Sequence, residues 1–240
     1  MDSAKKSFAT TRWTMVRDAS GATSVASTKA LEELCNAYWF PLYTYVRRLG
    51  RSKEEAEDLT QGFFMYLLSR SDFTDLNRKE GKFRSFLLAS LKHYISNDND
   101  KKRTKKRGGT ITHFSLDWES ADAKYQLIDT TTLSPDSAYD REWATALLER
   151  VIISLEENAT RKGRHKEFAQ LKQFLTSERG EIPYEKAAAE IGVTATALRV
   201  SVHRLRKHYR DLLKAEVSNT ISPDESVMDE IATLLGGFTT

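Results

Sequence analysis

The chain has one cysteine, Cys35, so no disulfide can form within it. It lies in an apolar helical pattern between Leu34 and Tyr38, which suits a core thiol better than a catalytic one. Four prolines and 11 glycines in 240 residues are too few for the many turns of a β-sandwich. No apolar run approaches the ~20 residues that cross a bilayer, so no membrane insertion is expected. The opening MDSAKKSFATTRW lacks the apolar stretch of a signal peptide, and a cytoplasmic location is the expectation. The five histidines (His93, His113, His165, His203 and His208) are scattered without metal-ligand spacing. There is no glycine-rich phosphate loop and no serine elbow. No metal, no cofactor and no catalytic residue is therefore expected, and the chain reads as a non-enzyme.

What is present is helical and unevenly charged. The net charge of +3 is small, but cations gather at 101–107 and 199–214, and acids at 54–58 and 224–230. Such segregation is the footprint of surfaces that meet charged partners. Apolar residues recur at helical spacing from Leu31 to Leu49, with Pro41 expected to kink the helix and Gly50 to stop it. SKEE then forms a capping box from Ser52 and Glu55, followed by a stripe of Ala56, Leu59, Phe63 and Leu67. A third helix, from about Lys82 to Asn97, carries Phe83, Phe86, Leu87, Leu91, Tyr94 and Ile95 and runs into the basic stretch KKRTKKR. A short helix around Trp13 completes this first unit.

Residues 108–133 break the periodicity and read as a flexible linker. A new helix starts at Ser134 and Pro135 and carries Trp143, Leu147, Val151 and Leu155. The segment from Pro183 to Tyr209 carries the most information. A first helix buries Ala187, Ala188 and Ile191, small enough for a close approach. Gly192 turns the chain, Val193 fills the angle, and Thr194 or Thr196 caps the second helix. That helix buries Leu198, Val202, Leu205 and Leu212, and its other face carries Arg199, Ser201, His203, Arg204, Lys207 and Arg210. This is the pattern of a DNA-binding helix-turn-helix; the bland reading is a helical hairpin with a solvated basic face. The fold class expected is all-α, as two small helical domains joined by a flexible linker, the C-terminal one a helix-turn-helix.

Three stretches in order, EEAEDLTQGFFMYLL, GKFRSFLLASLKHYISNDNDKKRTKKR and YEKAAAEIGVTATALRVSVHRLRKHYR, resemble regions 2.2, 2.3–2.4 and 4.2 of a bacterial sigma-70 family RNA polymerase sigma factor of the extracytoplasmic-function (ECF) type. The opening FATTRWTMV is similar to the start of a long-linker subset of these factors. The resemblance implies a region 2-like domain at 1–107, a linker at 108–133, a region 4-like helix-turn-helix domain at 134–215 and a C-terminal helical extension at 216–240. It implies a protein that binds core RNA polymerase and directs it to promoters. The β′ clamp helices and the β flap would be its contacts, with room for an anti-sigma factor or other regulator.

The resemblance also implies site residues. Asp58, Gln61 and Phe64 would meet the β′ clamp helices; without the family, the acidic start of that helix reads as solvated and dipole-favoured. Lys92, His93, Asn97, Lys101, Lys102 and Arg103 would contact the −10 element, with Lys105, Lys106 and Arg107 on phosphates. Phe83 and Phe86 would serve either the core or the stacking of unpaired bases. Thr196, Arg199, Val200, Ser201, His203 and Arg204 would read the −35 element. The chain departs from the family at Phe86, His93 and Asn97, where Trp, Asn and Asp are usual, so no −10 preference is carried over. Asp117, Glu119, Asp122 and Asp129 would either mimic RNA charge or belong to a plain tether. The extension would pack on region 4, or act as a partner-binding or self-inhibiting helix. The alternative from the residues is a stand-alone dimeric helix-turn-helix transcription regulator.

Overall fold

The first described helix, α1 (Val25–Arg48), bends at Tyr38, whose φ of −127° and ψ of 24° leave the helical region. Pro41 causes the bend, because its ring collides with the carbonyl four residues earlier and it offers no N–H. The computed structural model describes residues 25–69, 81–102, 117–127, 133–177, 181–236 and 238. Of 25–28 and 99–102 it describes only the backbone. The expected helix at Trp13, the FATTRWTMV stretch, and residues 103–116 and 128–132 lie outside this range.

Helix α2 (Lys53–Ser69) starts with the expected reciprocal cap. The Glu55 N–H donates to Ser52 Oγ at 3.2 Å, and the Ser52 N–H donates to Glu55 Oε2 at 3.1 Å. Helix α3 (Phe83–Lys102) runs on into the basic stretch, past the poor helix formers Asn97–Asp100. Helix α4 (Trp118–Leu127) is followed by α5 (Pro135–Arg161), the short helices α6 (His165–Leu171) and α7 (Gln173–Thr176), α8 (Tyr184–Ile191), α9 (Ala195–Ser218) and α10 (Val227–Gly236). Among the described residues the one non-helical pairing is an antiparallel bridge between Lys82 and Ile221. The all-α class is what the structure has.

The residues group into two units: one from the residues up to Ala146 together with those from Val217, the other from Leu147–Glu216. The first is centred on Trp143, fully buried, stacked on Tyr38 at 4.1 Å and meeting Phe83 edge-on at 5.9 Å. Each such buried ring contributes about 1.5–3 kcal/mol by leaving water. Residues 134–146, expected in the second domain, thus group with the first unit, and Ala138, Tyr139, Trp143 and Ala144 lie in its core. Phe83 and Phe86 are 0% and 5% exposed. Of their two expected roles the structure shows the core one.

Within the expected linker, Trp118–Leu127 is the helix α4. The Ser120 N–H donates to Asp117 Oδ1 at 3.2 Å, which caps α4. Trp118 meets Trp39 at 5.0 Å, and the Arg47 guanidinium lies 4.6 Å over the Tyr125 ring while pairing with Asp122. Burial pushes the Tyr43 hydroxyl up to about 12, so it remains a donor, bonding Asp122 at 3.2 Å. Asp122 therefore serves an internal ion pair. Period 3.6 gives little sign of α4, since its apolar anchors are two aromatic rings in a polar helix.

The C-terminal segment also packs on the first unit, not on the helix-turn-helix as expected. The Phe83 N–H donates to the Thr220 carbonyl at 2.8 Å and the Ser222 N–H to the Gly81 carbonyl at 2.7 Å. The cap of α10 is Ser226, whose Oγ accepts from the Asp229 N–H at 3.2 Å. Glu230, 2% exposed, receives Arg84 Nε at 2.6 Å and Lys82 Nζ at 2.8 Å. Arg84 also holds Asp140 at 2.7 Å.

Candidate nucleic-acid interface

The second unit carries the helix-turn-helix. Ala187 and Ala188 of α8 pack with Leu198 and Val202 of α9 over Leu171 and Phe174, all six buried. Alanine at both α8 positions lets the two helix backbones approach. Gly192 has φ 80° and ψ 31°, the left-handed conformation that ends α8, and its N–H donates to the Ala188 carbonyl at 2.9 Å. Thr194, not Thr196, is the cap: its Oγ1 accepts from the Ala197 N–H at 3.1 Å. Val193 is 43% exposed and so does not fill the angle between the helices. Leu205 and Leu212 are only half-buried, whereas Leu213 is buried.

The outer face of α9 presents Thr196, Arg199, Val200, His203, Arg204, Lys207 and Arg210, all exposed, with Ser201 half-buried at its edge. Arg199 is held in place before any ligand arrives. Its Nη2 donates to Glu185 Oε1 at 2.5 Å, and its guanidinium sits 5.4 Å over the Tyr184 ring. Tyr184 in turn stacks on Phe174 at 5.2 Å. The Glu185 backbone N–H first, and Arg199 second, hold the Glu185 carboxyl below the usual range. His203, Arg204, Lys207 and Arg210 have no ion-pair partner among the described residues. Arg206, which no local sequence signal marks, faces inward and clamps α9 to the end of α7: its Nε and Nη2 donate to the Phe174 carbonyl at 3.0 and 2.8 Å.

In the first unit, three of the residues expected at the −10 element, Lys92, His93 and Asn97, stand on the exposed side of α3. His93 and Asn97 are exposed. Lys92 is 44% exposed but already paired with Asp136, and lies 5.5 Å over the Tyr45 ring. The Asp136 hydrogen bond raises the Lys92 pKa, so it remains a cation. Lys101 and Lys102 continue the helix, and Arg103 lies outside the described residues. The three residues expected at a polymerase contact differ from one another. Asp58 is exposed, Gln61 half-buried, and Phe64 fully buried against Phe63 at 5.5 Å. Phe64 is thus buried in the core of this chain, with no exposed surface to meet a partner. Thr60 and Phe64, four residues apart, are buried beside the expected stripe, so α2 is covered over a wider arc than its pattern indicated. Beside Gln61, Gly62 allows the Tyr94 hydroxyl to lie 2.6 Å from where a Cβ would stand. Tyr94 then packs on Phe63 and Tyr66 at 5.8 and 5.5 Å.

Among the described residues, no three His, Cys, Asp or Glu side chains group as a metal site, and no helix is long and apolar enough to cross a membrane. No family model matches the chain, and neither a curated protein nor a solved structure does.

Proposed function

We propose that this chain is a sigma factor of the ECF type. It binds core RNA polymerase, reads the −35 element with α9, and reads and melts the −10 element with α3 and the basic run that follows. One observation carries the reading: α9 is capped by Thr194, seated on an alanine-lined α8, and turns an exposed face of Arg199, His203, Arg204, Lys207 and Arg210 outward. A basic helix mounted this way enters the major groove, where arginine reaches guanine edges and phosphates.

Two further observations support it. Helix α3 runs to Lys102, so the basic stretch begins on a helix. The exposed acids Glu54, Glu55 and Asp58 lead α2 and suit a basic partner surface such as the β′ clamp helices. Asp58 and Gln61 are the proposed polymerase contacts. Lys92, His93, Asn97, Lys101, Lys102 and Arg103 are the proposed −10 set, Lys92 after leaving Asp136. Thr196, Arg199, Val200, Ser201, His203 and Arg204 are the proposed −35 set. The β flap is a second polymerase contact, the protein acts in the cytoplasm, and its role is specificity rather than catalysis.

The test is reconstitution with core polymerase stripped of any sigma. A one-to-one complex and promoter-specific transcripts are expected, with poor binding of the chain alone to duplex DNA. Tight dimeric binding to paired half-sites without polymerase would replace this reading with that of a stand-alone regulator.

A further inference from the structure

A cavity of about 250 Å³ opens on the second unit beside α9. Its floor is apolar: buried Leu155 of α5, buried Phe168 and Leu171 of α6, and half-buried Leu205 of α9. Its rim is cationic. Lys162 and Arg164 come from the turn after α5, and Arg204 from α9. None of the three has an ion-pair partner among the described residues. By contrast, Arg150 of the same unit pairs with Glu216 at 2.6 Å. Here Glu167 is the single acid on the lining, so three cations face one carboxylate. His208 lines the same cavity, and its Nε2 is buried with no hydrogen-bond partner among the described residues. Buried polar atoms without partners are rare in native proteins.

We infer that this cavity binds a small organic anion: a carboxylate or phosphate carried on an apolar or aromatic body. The charge would sit between Lys162, Arg164 and Arg204, where a guanidinium offers paired donors to two oxygens. The body would cover the Leu155–Phe168–Leu171 floor, and His208 Nε2 would gain a partner. A bare inorganic ion would leave the floor wet, and an uncharged hydrophobe would leave the cations unused. The volume lies just below the roughly 300–1,000 Å³ of pockets for drug-sized ligands, so a metabolite-sized molecule fits. This inference stands independently of the sigma-factor reading. If that reading holds, Ser201 and Arg204 make the ligand a neighbour of the promoter-reading helix, since both line the cavity from α9.

The test is an NMR titration of the full chain with phenyl phosphate, and separately with inorganic phosphate and with phenol. Phenyl phosphate is expected to shift backbone amides around 155–171 and 201–208 saturably, at least about tenfold more tightly than either half-molecule. Arg164→Ala and, separately, the exposed Lys162→Gln are each expected to weaken it about tenfold with the rest of the spectrum unchanged. Absent shifts, equal affinity for inorganic phosphate, or unchanged binding in both variants would overturn the inference. So would amide shifts produced by short duplex DNA and not by phenyl phosphate, which would assign these cations to a nucleic-acid face. No polymerase enters the measurement, so its failure is separate from failure of the proposed function.

Discussion

Arg84 and Glu230 meet across 146 residues of sequence, Nε to Oε1 at 2.6 Å, with the carboxylate 2% exposed. Burial alone would raise the Glu230 carboxyl, but Arg84 and Lys82 outweigh it and hold it below the usual glutamate range. Glu230→Gln is expected to lose about 2–3 kcal/mol of stability, because Lys82 is left without its close carboxylate and Arg84 keeps only Asp140. Urea unfolding at neutral pH measures it, and a loss below about 0.5 kcal/mol would make the pairing incidental.

The same pair sets a pH dependence. A depressed carboxylate adds stability above its unfolded value of 4.5, and that contribution disappears as pH falls through the lower folded value. Asp140 acts in the opposite sense, since burial, only partly offset by Arg84, raises its carboxyl above the usual range. Unfolding midpoints between pH 6 and about 3 should therefore fall less steeply in Glu230→Gln than in the native chain. Parallel curves would contradict the assignment.

Gly192→Ala isolates the turn. No atom lies within 4 Å of the added Cβ, so only the left-handed backbone resists it. A cost of about 1–2 kcal/mol is expected, with loss of promoter-specific DNA binding near the melting temperature. Differential scanning calorimetry checks the first part, and a neutral result would mean the turn tolerates a side chain.

Arg199→Ala is expected to reduce −35-dependent initiation by about 1–3 kcal/mol of discrimination while leaving polymerase binding intact. Glu185→Ala releases the same guanidinium and should raise non-specific DNA affinity at low salt. Run-off transcription over a series of −35 sequences measures the first; unchanged preference would remove Arg199 from the reading set.

Neutralising Lys101, Lys102 and Arg103 together is expected to lower open-complex formation. Its log–log salt dependence should flatten by about one for each phosphate that no longer meets a cation. An unaltered slope would place the run outside the interface.

Local signals are readable in the sequence, and distant partners are not. The kink at Pro41, the Ser52–Glu55 box, the Ser134 cap and the Gly192 turn each depend on residues within four positions, so spacing alone exposes them. Lys92, Arg47 and Arg84 carry no sequence sign of being paired, because Asp136, Asp122 and Glu230 lie 44, 75 and 146 residues away. Phe64 falls off the single stripe expected for α2, and the helix is buried over more than one line. The run RKGRHK at 161–166 is visible as charge, but only the fold brings Lys162 and Arg164 to the same cavity as Arg204 and His208.

The seating of 217–236 against Gly81–Arg84 has a consequence for biosynthesis. The first unit is discontinuous in the chain, with the whole of 147–216 inserted between its two parts. On the ribosome, the inserted unit can close first, while Lys82 and Arg84 wait for a carboxylate that has not yet been made. Nascent chains that stop before Glu230 leave Lys82 without its close carboxylate and Arg84 with Asp140 alone.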